Sequence, residues 1–218
     1  FTRLQGPGEA EQLHTQVVTR LRATPVVVSA AATNAVPLQS LNPGRQPIRI
    51  EGRTNETTAQ ILVDPNVAST GYFDTLNVPV LRGRAFAERD SATAAPVAVI
   101  NQTMAKYWDE VDPVGTRFVV DVPVPPGQPA PPPITVIGVV ADFKLYNVDQ
   151  PTEAQYYVPY TQNGGFAGRL LVRANTDARD LIPAIKQAVF SVDSQTPVEE
   201  LLTLEELDRL CSGFIGLG

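Results

Sequence analysis

Apolar residues recur at helical spacing in two good stretches of the chain. In residues 9–22, Leu13, Val17, Val18 and Leu21 share one stripe, with Glu11, Arg20 and Arg22 outside it, which predicts an amphipathic helix that Pro25 stops. In residues 181–192, Leu181, Ile182, Ile185, Val189 and Val192 share a second stripe. Asp180 is the expected cap there, because it places Pro183 in the first turn, where a missing N–H costs nothing. Between the two, the apolar runs are short and of strand type. They predict a strand from Val26 to Ala32, a loop over 36–45, and a hairpin of Ile48 and Ile50 against Thr57, Thr58, Ile61 and Val63. That hairpin turns at 53–55 and its second strand ends at Asp64-Pro65. A short helix over 69–77 follows, capped by Ser69 or Thr70, with Tyr72, Phe73 and Leu76 inward.

Further along, Pro96–Ile100 reads as a buried strand and Asn101 as the cap of a helix running to Trp108. Asp112-Pro113-Val114-Gly115 has the residues of a type I turn. Strands over 119–124 and 134–140 flank a proline loop. Then come a strand at 156–158, a turn at Asn163-Gly164-Gly165, a strand at 170–172, and a last strand at 198–202. Thr203 with Glu206 forms a capping box for a final helical turn. Both good helices run into Thr-Pro-Val and then an apolar strand. This is either a pair of related halves flanking a different middle, or a chance recurrence of a tripeptide.

Composition narrows the class. The 218 residues are 43% hydrophobic and 18% charged, the mixture of a soluble globular protein. The net charge of −6 and pI near 4.8 argue against a nucleic-acid footprint, which needs clustered Lys and Arg. Twenty prolines, against about eleven at average usage, make long helices improbable as the main element. With one Cys and one His, neither an intrachain disulfide nor a Cys/His metal cluster can form. Residues 23–44 and 122–141 lack charge and are long enough to cross a bilayer. The prolines and amides in the first, and seven prolines among residues 122–133 in the second, make them strands and turns instead. No signal-peptide pattern opens the chain, so such a segment is absent or removed. The ends, Phe1 and Phe214-Ile215-Gly216-Leu217-Gly218, look like those of a domain excised from flanking segments, or of a cloning artefact at the C-terminus.

Candidate chemistry is sparse. His14 lies on the first helix as a structural residue, and Cys211 has no second histidine to activate it. No nucleophile elbow, phosphate loop or dinucleotide fingerprint appears. The pairs Asp109/Glu110, Glu199/Glu200 and Glu205/Glu206 are surface charge, since adjacent side chains diverge. Asp142 and Lys144 follow a strand end, where they either close a turn or bind. Arg82 and Arg84, around Gly83, either grip an anion or brace a turn through carbonyls or Asp74. The aromatic pairs Tyr72/Phe73, Tyr107/Trp108 and Tyr156/Tyr157 each place one ring in the core and one at a seam open to a partner.

These motifs resemble a family. Gly71-Tyr72-Phe73-Asp74-Thr75-Leu76, then Leu81-Arg82-Gly83-Arg84-Ala85-Phe86, Pro96-Val97-Ala98-Val99-Ile100-Asn101, Asp112-Pro113-Val114-Gly115, Ile137-Gly138-Val139-Val140-Ala141-Asp142 and Val158-Pro159-Tyr160 are similar, in order, to segments of the MacB-like periplasmic core domain of FtsX-type ABC transporter permeases. The resemblance implies an α+β fold: a mixed-sheet porter-like subdomain (1–65 plus 151–210) with an inserted smaller α/β subdomain (66–150) carrying the Pro-rich loop 122–133, and a tail (211–218). It implies a non-catalytic domain with no cofactor or metal, on the periplasmic side of a bacterial inner membrane and anchored by transmembrane helices. There it would transmit conformational change from a cytoplasmic ATP-binding subunit and contact envelope partners or substrate, in a permease that dimerises. Tyr72, Phe73, Arg82, Arg84, Trp108, Asp142 and Lys144 are the expected partner or cleft contacts. The alternative is a substrate-binding module holding a lipid, peptide or amphiphile between the subdomains. The proline loop departs from the better-known efflux members of the family.

Overall fold

The computed structural model describes residues 7–38, 44–53, 60–124, 127, 129–146, 151–163, 168–194, 198 and 201–207, with side chains from residue 11 onward. The first helix, α1 (Pro7–Arg22), buries Leu13, Val17, Val18 and Leu21 as its stripe requires. It lies on β1 (Val27–Thr33) and beside α4 (Ala178–Phe190). The remaining elements are β2 (Gln46–Ile50), β3 (Ile61–Ala68), α2 (Tyr72–Leu76), β4 (Val80–Gly83), β5 (Val97–Asn101), α3 (Gln102–Ala105) with a 3-10 turn at Lys106–Trp108, β6 (Arg117–Val120), β7 (Ile134–Val140), β8 (Gln155–Pro159) with a 3-10 turn at Tyr160–Asn163, and β9 (Arg169–Ala174).

Among the described residues nine strands form one mixed sheet in the order β2-β6-β7-β5-β8-β3-β1-β9, with β4 on β7. Because β2 also pairs with β3, six of them close into a ring: β2, β6, β7, β5, β8 and β3. Among the described pairings only β3–β8 and β5–β7 are parallel. Strand β3 makes the closure possible by changing partners along one edge: Ile61–Val63 pair with β2, whereas Ala68 pairs with Thr33 of β1. The second hairpin strand therefore continues through Pro65 rather than ending there. The Asp64 N–H points to Ala154 O across the β8 edge at 2.9 Å, so the next position faces the opposite edge. There β2 has ended and β1 has not begun, and proline removes a donor that no ladder needs.

Each ring strand contributes to one core cluster: Ile48 and Ile50 (β2), Val63 (β3), Ala98 and Ile100 (β5), Phe118 (β6), Val136 (β7) and Tyr156 (β8), with Met104 and Trp108 beside them. A second cluster joins α1 and α4 to Ala30 and Ala32 of β1, and a third packs Tyr72 and Phe73 of α2 on Ala31, Val99 and Tyr157. Strands covered on both faces read as continuous apolar runs, as β5 does with all five residues buried.

Four local expectations shift. Helix α4 starts at Ala178 with Asp177 as cap, its carboxylate accepting from Arg179 N at 2.8 Å, so Pro183 falls inside the helix rather than in its first turn. Helix α2 is capped by Gly71 in the left-handed region (φ 80°) without a side-chain bond. Ser69, one of the expected caps, instead accepts from Ala32 N. The turn near Gly115 closes one residue later, Thr116 N donating to Pro113 O. Gly115 then sits third with φ 88°, where a type II turn needs a left-handed residue. Residues 201–202 are irregular rather than strand. The Asn101 cap and the Thr203/Glu206 box form as expected. Cys211, the tail 211–218 and the Gly164-Gly165 turn lie outside the described residues.

Candidate functional site

The motif residues turn out to be joints between distant elements. Asn101 Oδ1 accepts from both Met104 N and Gln155 N at 2.9 Å, and its Nδ2 donates to Glu153 O at 2.8 Å. One buried side chain thus caps α3 and pins the start of β8. Asp142 accepts from the backbone N and hydroxyl of Thr103, at 2.9 and 2.7 Å, tying the exit of β7 to α3. Gly83 (φ 69°) and Gly138 allow β4 and β7 to touch: a Cβ on Gly83 would lie 2.3 Å from Ile137 O, and one on Gly138 would lie 2.2 Å from Arg84 O. Arg84 forks onto Asp90 at 2.7 and 2.8 Å, which holds the Asp90 carboxyl below its usual range and keeps the Arg84 guanidinium charged. Arg82 reaches Asp112 at 3.8 Å on the surface. The carboxylates of this segment are therefore Asp90 and Asp112, not Asp74, whose carbonyl receives Arg173 instead.

The aromatic pairs divide differently from the expectation. Tyr107/Trp108 places Trp108 inside and Tyr107 outside, but Tyr72, Phe73, Tyr156 and Tyr157 are all buried. Strand β8 is central, with Tyr156 facing the ring core against Phe118 and Tyr157 facing α2 between Phe73 and Phe143. Burial pushes the Tyr156 hydroxyl up to about 12 and also raises that of Tyr157 well above its ordinary range. Tyr72, Phe73 and Trp108 are buried, Arg84 and Asp142 are half-buried, and Arg82 and Lys144 are exposed. The structure does not bring those seven residues together.

It does form a cleft of about 200 Å³ lined by α1, the β3–α2 link, the segment after β4 and the exit of β8. Thr15, Val18, Thr19 and Arg22 of α1 make one wall, and Ser69, Thr70, Phe86 and Glu88 the other. On its floor the buried His14 meets Tyr160, Nδ1 to hydroxyl at 2.8 Å, with the rings edge to face. Burial, and to a lesser degree Glu11, pushes the Tyr160 hydroxyl upward. Arg22 donates to the carbonyls of Ala30 and Thr70, and a Cβ on Gly71 would lie 2.8 Å from its Nη2. Glycine at that motif position thus serves both the left-handed backbone and the seat of Arg22. Sequence reasoning missed Arg22, Glu88 and Tyr160 as neighbours, because they lie on segments far apart in the chain: α1 packs on β1, and the stretch after β4 is tied to the β8 exit where Thr161 donates to Asp90 O.

A second polar group sits on one face of the parallel β3/β8 pair, where Asp64 lies level with Gln155 and Asn66 with Tyr157. Asp64 is fully buried and both its carboxylate oxygens lack a hydrogen-bond partner, as does the Tyr146 hydroxyl. Arg45 Nε lies 4.0 Å away, beyond hydrogen-bond reach, while Arg45 Nη2 pairs with Glu153. Burial, opposed by Arg45 and aided by Glu153, pushes the Asp64 carboxyl up to about 6. An ionisable residue between Val63 and Pro65 in a predicted strand was the signal that could have flagged it. Among the described residues no three His, Cys, Asp or Glu side chains gather as metal ligands, and no helix is long and apolar enough to cross a membrane.

A mixed α/β sheet domain, closed into a ring and held by motif joints between distant elements, is what this geometry defines. Residues 2–200 match the family model of the MacB-like periplasmic core domain, and the chain belongs to that family. Among solved structures it is similar to the periplasmic region of MacB from Actinobacillus actinomycetemcomitans, with 14% identity, a TM-score of 0.59, and coverage of 94% of this chain and 83% of that one. It is also similar to the extracellular domain of the noncanonic ABC-type transporter YknZ from Gram-positive bacteria (17% identity, TM-score 0.49, 92% of this chain and 82% of that one). None of the curated proteins matches it. The expected α+β class with a mixed sheet is the fold observed.

Proposed function

We propose that this chain is the extracytoplasmic domain of an ABC transporter permease and that it is non-catalytic, relaying movement driven by a cytoplasmic ATP-binding subunit to partners or substrate outside the membrane. Family membership supports the setting. The observation that carries the relay is the bracing of α1. The helix is bonded to the β8 exit through His14 and Tyr160, and to β1 and the β3–α2 link through Arg22. A displacement of α1 must therefore move the sheet or open the cleft. Three polar motif residues that could have served chemistry are engaged in holding the fold: Asp142 with Thr103, Arg84 with Asp90, Asn101 with β8. In this reading residues 66–150, which supply the Glu88 wall and the proline loop, form the part inserted between the two flanking segments and available to an envelope partner.

The test uses the full-length permease with its ATP-binding partner in lipid. Spin labels at Thr19 and Glu88, on opposite walls of the cleft, should give different distance distributions in the nucleotide-free and ATP-bound states. An identical distribution in both states would overturn the relay.

The cleft itself favours a second reading, a binding module for a small peptide or amphiphile. Its lining combines hydroxyls and the Arg22/Glu88 charges with Val18, Phe86 and Tyr160. A ligand that binds only the folded state raises the melting temperature by mass action. A flat thermal-shift response across peptides and lipids would remove this reading while leaving the relay intact.

A further inference from the structure

A carboxylate with no exposed surface and no hydrogen-bond donor is unusual, because ionising it there forfeits hydration without replacement. The described groups that face Asp64 come from three segments. Arg45 comes from the residues entering β2, Glu153 from those entering β8, and Tyr146 from the segment leaving β7; Tyr157 of β8 also feels its charge. Of these only Arg45 is a cation. It is shared between two carboxylates, in contact with Glu153 and 4.0 Å from Asp64. Both Arg45 and Glu153 are about two-fifths exposed, at 39% and 40% of their side chains, whereas Asp64 is at 0%. The guanidinium therefore sits at the mouth of a buried site whose one strong acceptor is unfilled.

We propose that Asp64 is a proton-operated latch: ionised, it draws Arg45 inward and ties the segment before β2 to β3, and protonated, it releases Arg45 to Glu153 and solvent. The balance is a single proton taken up from or returned to water through the mouth that Arg45 occupies. The latch lies where β3 passes from β2 to β1, so its state acts on the seam that closes the ring. The inference rests on the fold alone and stands whether or not the chain relays movement. On the outer side of a membrane it would make that seam responsive to external acidity.

Carboxyl carbon NMR of the 218-residue chain tests it. Asp64 should titrate with a midpoint near pH 6. Arg45→Gln should move that midpoint upward and Glu153→Gln downward, each by half a pH unit or more. Hydrogen-exchange protection of the Arg45 and Gln46 amides, corrected for intrinsic rates, should fall several-fold below the midpoint in the native chain. In Asp64→Asn it should show no step. A midpoint near pH 4, a midpoint that ignores Arg45→Gln, or protection without a step in the native chain would each overturn the latch. Glu153→Gln alters an exposed side chain and keeps the test independent of any folding defect in the Arg45 variant.

Discussion

Asn101 and Asp64 lie on the two strands that flank β8 and represent opposite solutions for a buried polar side chain. Asn101 spends its acceptor twice and its donor once, on Met104, Gln155 and Glu153. Removing it leaves two N–H groups and a carbonyl unpaired in the interior, at about 1 kcal/mol or more each. Asn101→Ala should lower the unfolding free energy by roughly 3 kcal/mol, read as a lower urea midpoint at unchanged slope. Asp64 has no such partners, and its carboxyl titrates near 6 in the fold against 3.8 when free. Its folded state therefore prefers the proton. Stability is undiminished at pH 3–4, falls as the unfolded chain ionises first, and stays lower above pH 6. Asp64→Asn should raise stability at pH 8 by on the order of 1–3 kcal/mol and leave it nearly unchanged at pH 4. Thermal melts at the two values check this; equal shifts at both would refute the assignment.

The elements show which features of the fold the sequence made legible. Helix α1, the buried strand β5 and the Asn101 cap were readable because their signals are local: a stripe, an apolar run, a side chain three residues from its N–H. The start of α4 was misplaced by three residues because two aspartates could cap it, and sparing Pro183 favoured the wrong one. The observed cap, Asp177, leaves Pro183 exposed within the helix, where it withholds a bond from Arg179 O. Pro183→Ala should therefore stabilise the domain. The gain is about 1–2 kcal/mol, since the roughly 3 kcal/mol interior penalty is partly offset by a freer unfolded chain, and it should appear as a melting temperature raised by several degrees. The Asn66 side chain donates to the carbonyl of Asp64, and the Asp64 carboxylate has no hydrogen-bond partner, yet both residues sit in a strand that local rules would break at Pro65. The continuation of β3 depends on where β2 ends and β1 begins. The cleft was illegible for the same reason: its floor joins His14 to Tyr160 across 146 residues, and no window of sequence contains both.

At the scale of the whole molecule, the proline excess is explained by where pairing has to stop. The β6–β7 pairing in the ring is short, Arg117 with Thr135 and Phe118 with Ile134. The next residues back from Ile134 are Pro133, Pro132 and Pro131, which have no N–H to extend the ladder. Freed from β7, β6 continues along β2 to Val120, and the last ring bond of this seam is Asp121 N to Pro47 O at 2.8 Å. The described residues of 122–133 are irregular and all but Pro133 are exposed, so the loop guards an edge against further pairing without being part of the core. Replacing residues 122–132 with a six-residue Gly/Ser linker, while keeping Pro133, should leave the fold intact. Halving a loop changes its closure entropy by only about 0.6 kcal/mol, so the melting temperature should stay within a few degrees. The same swap that also replaces Pro133 with Val restores a donor and an apolar side chain at the ladder's end. It should lengthen the β6–β7 pairing beyond Phe118 and Ile134, seen as new amide protection at residue 133. If the proline-keeping swap unfolds the domain, the loop is a structural part of the ring and its conformation, rather than its lack of donors, is what the prolines secure.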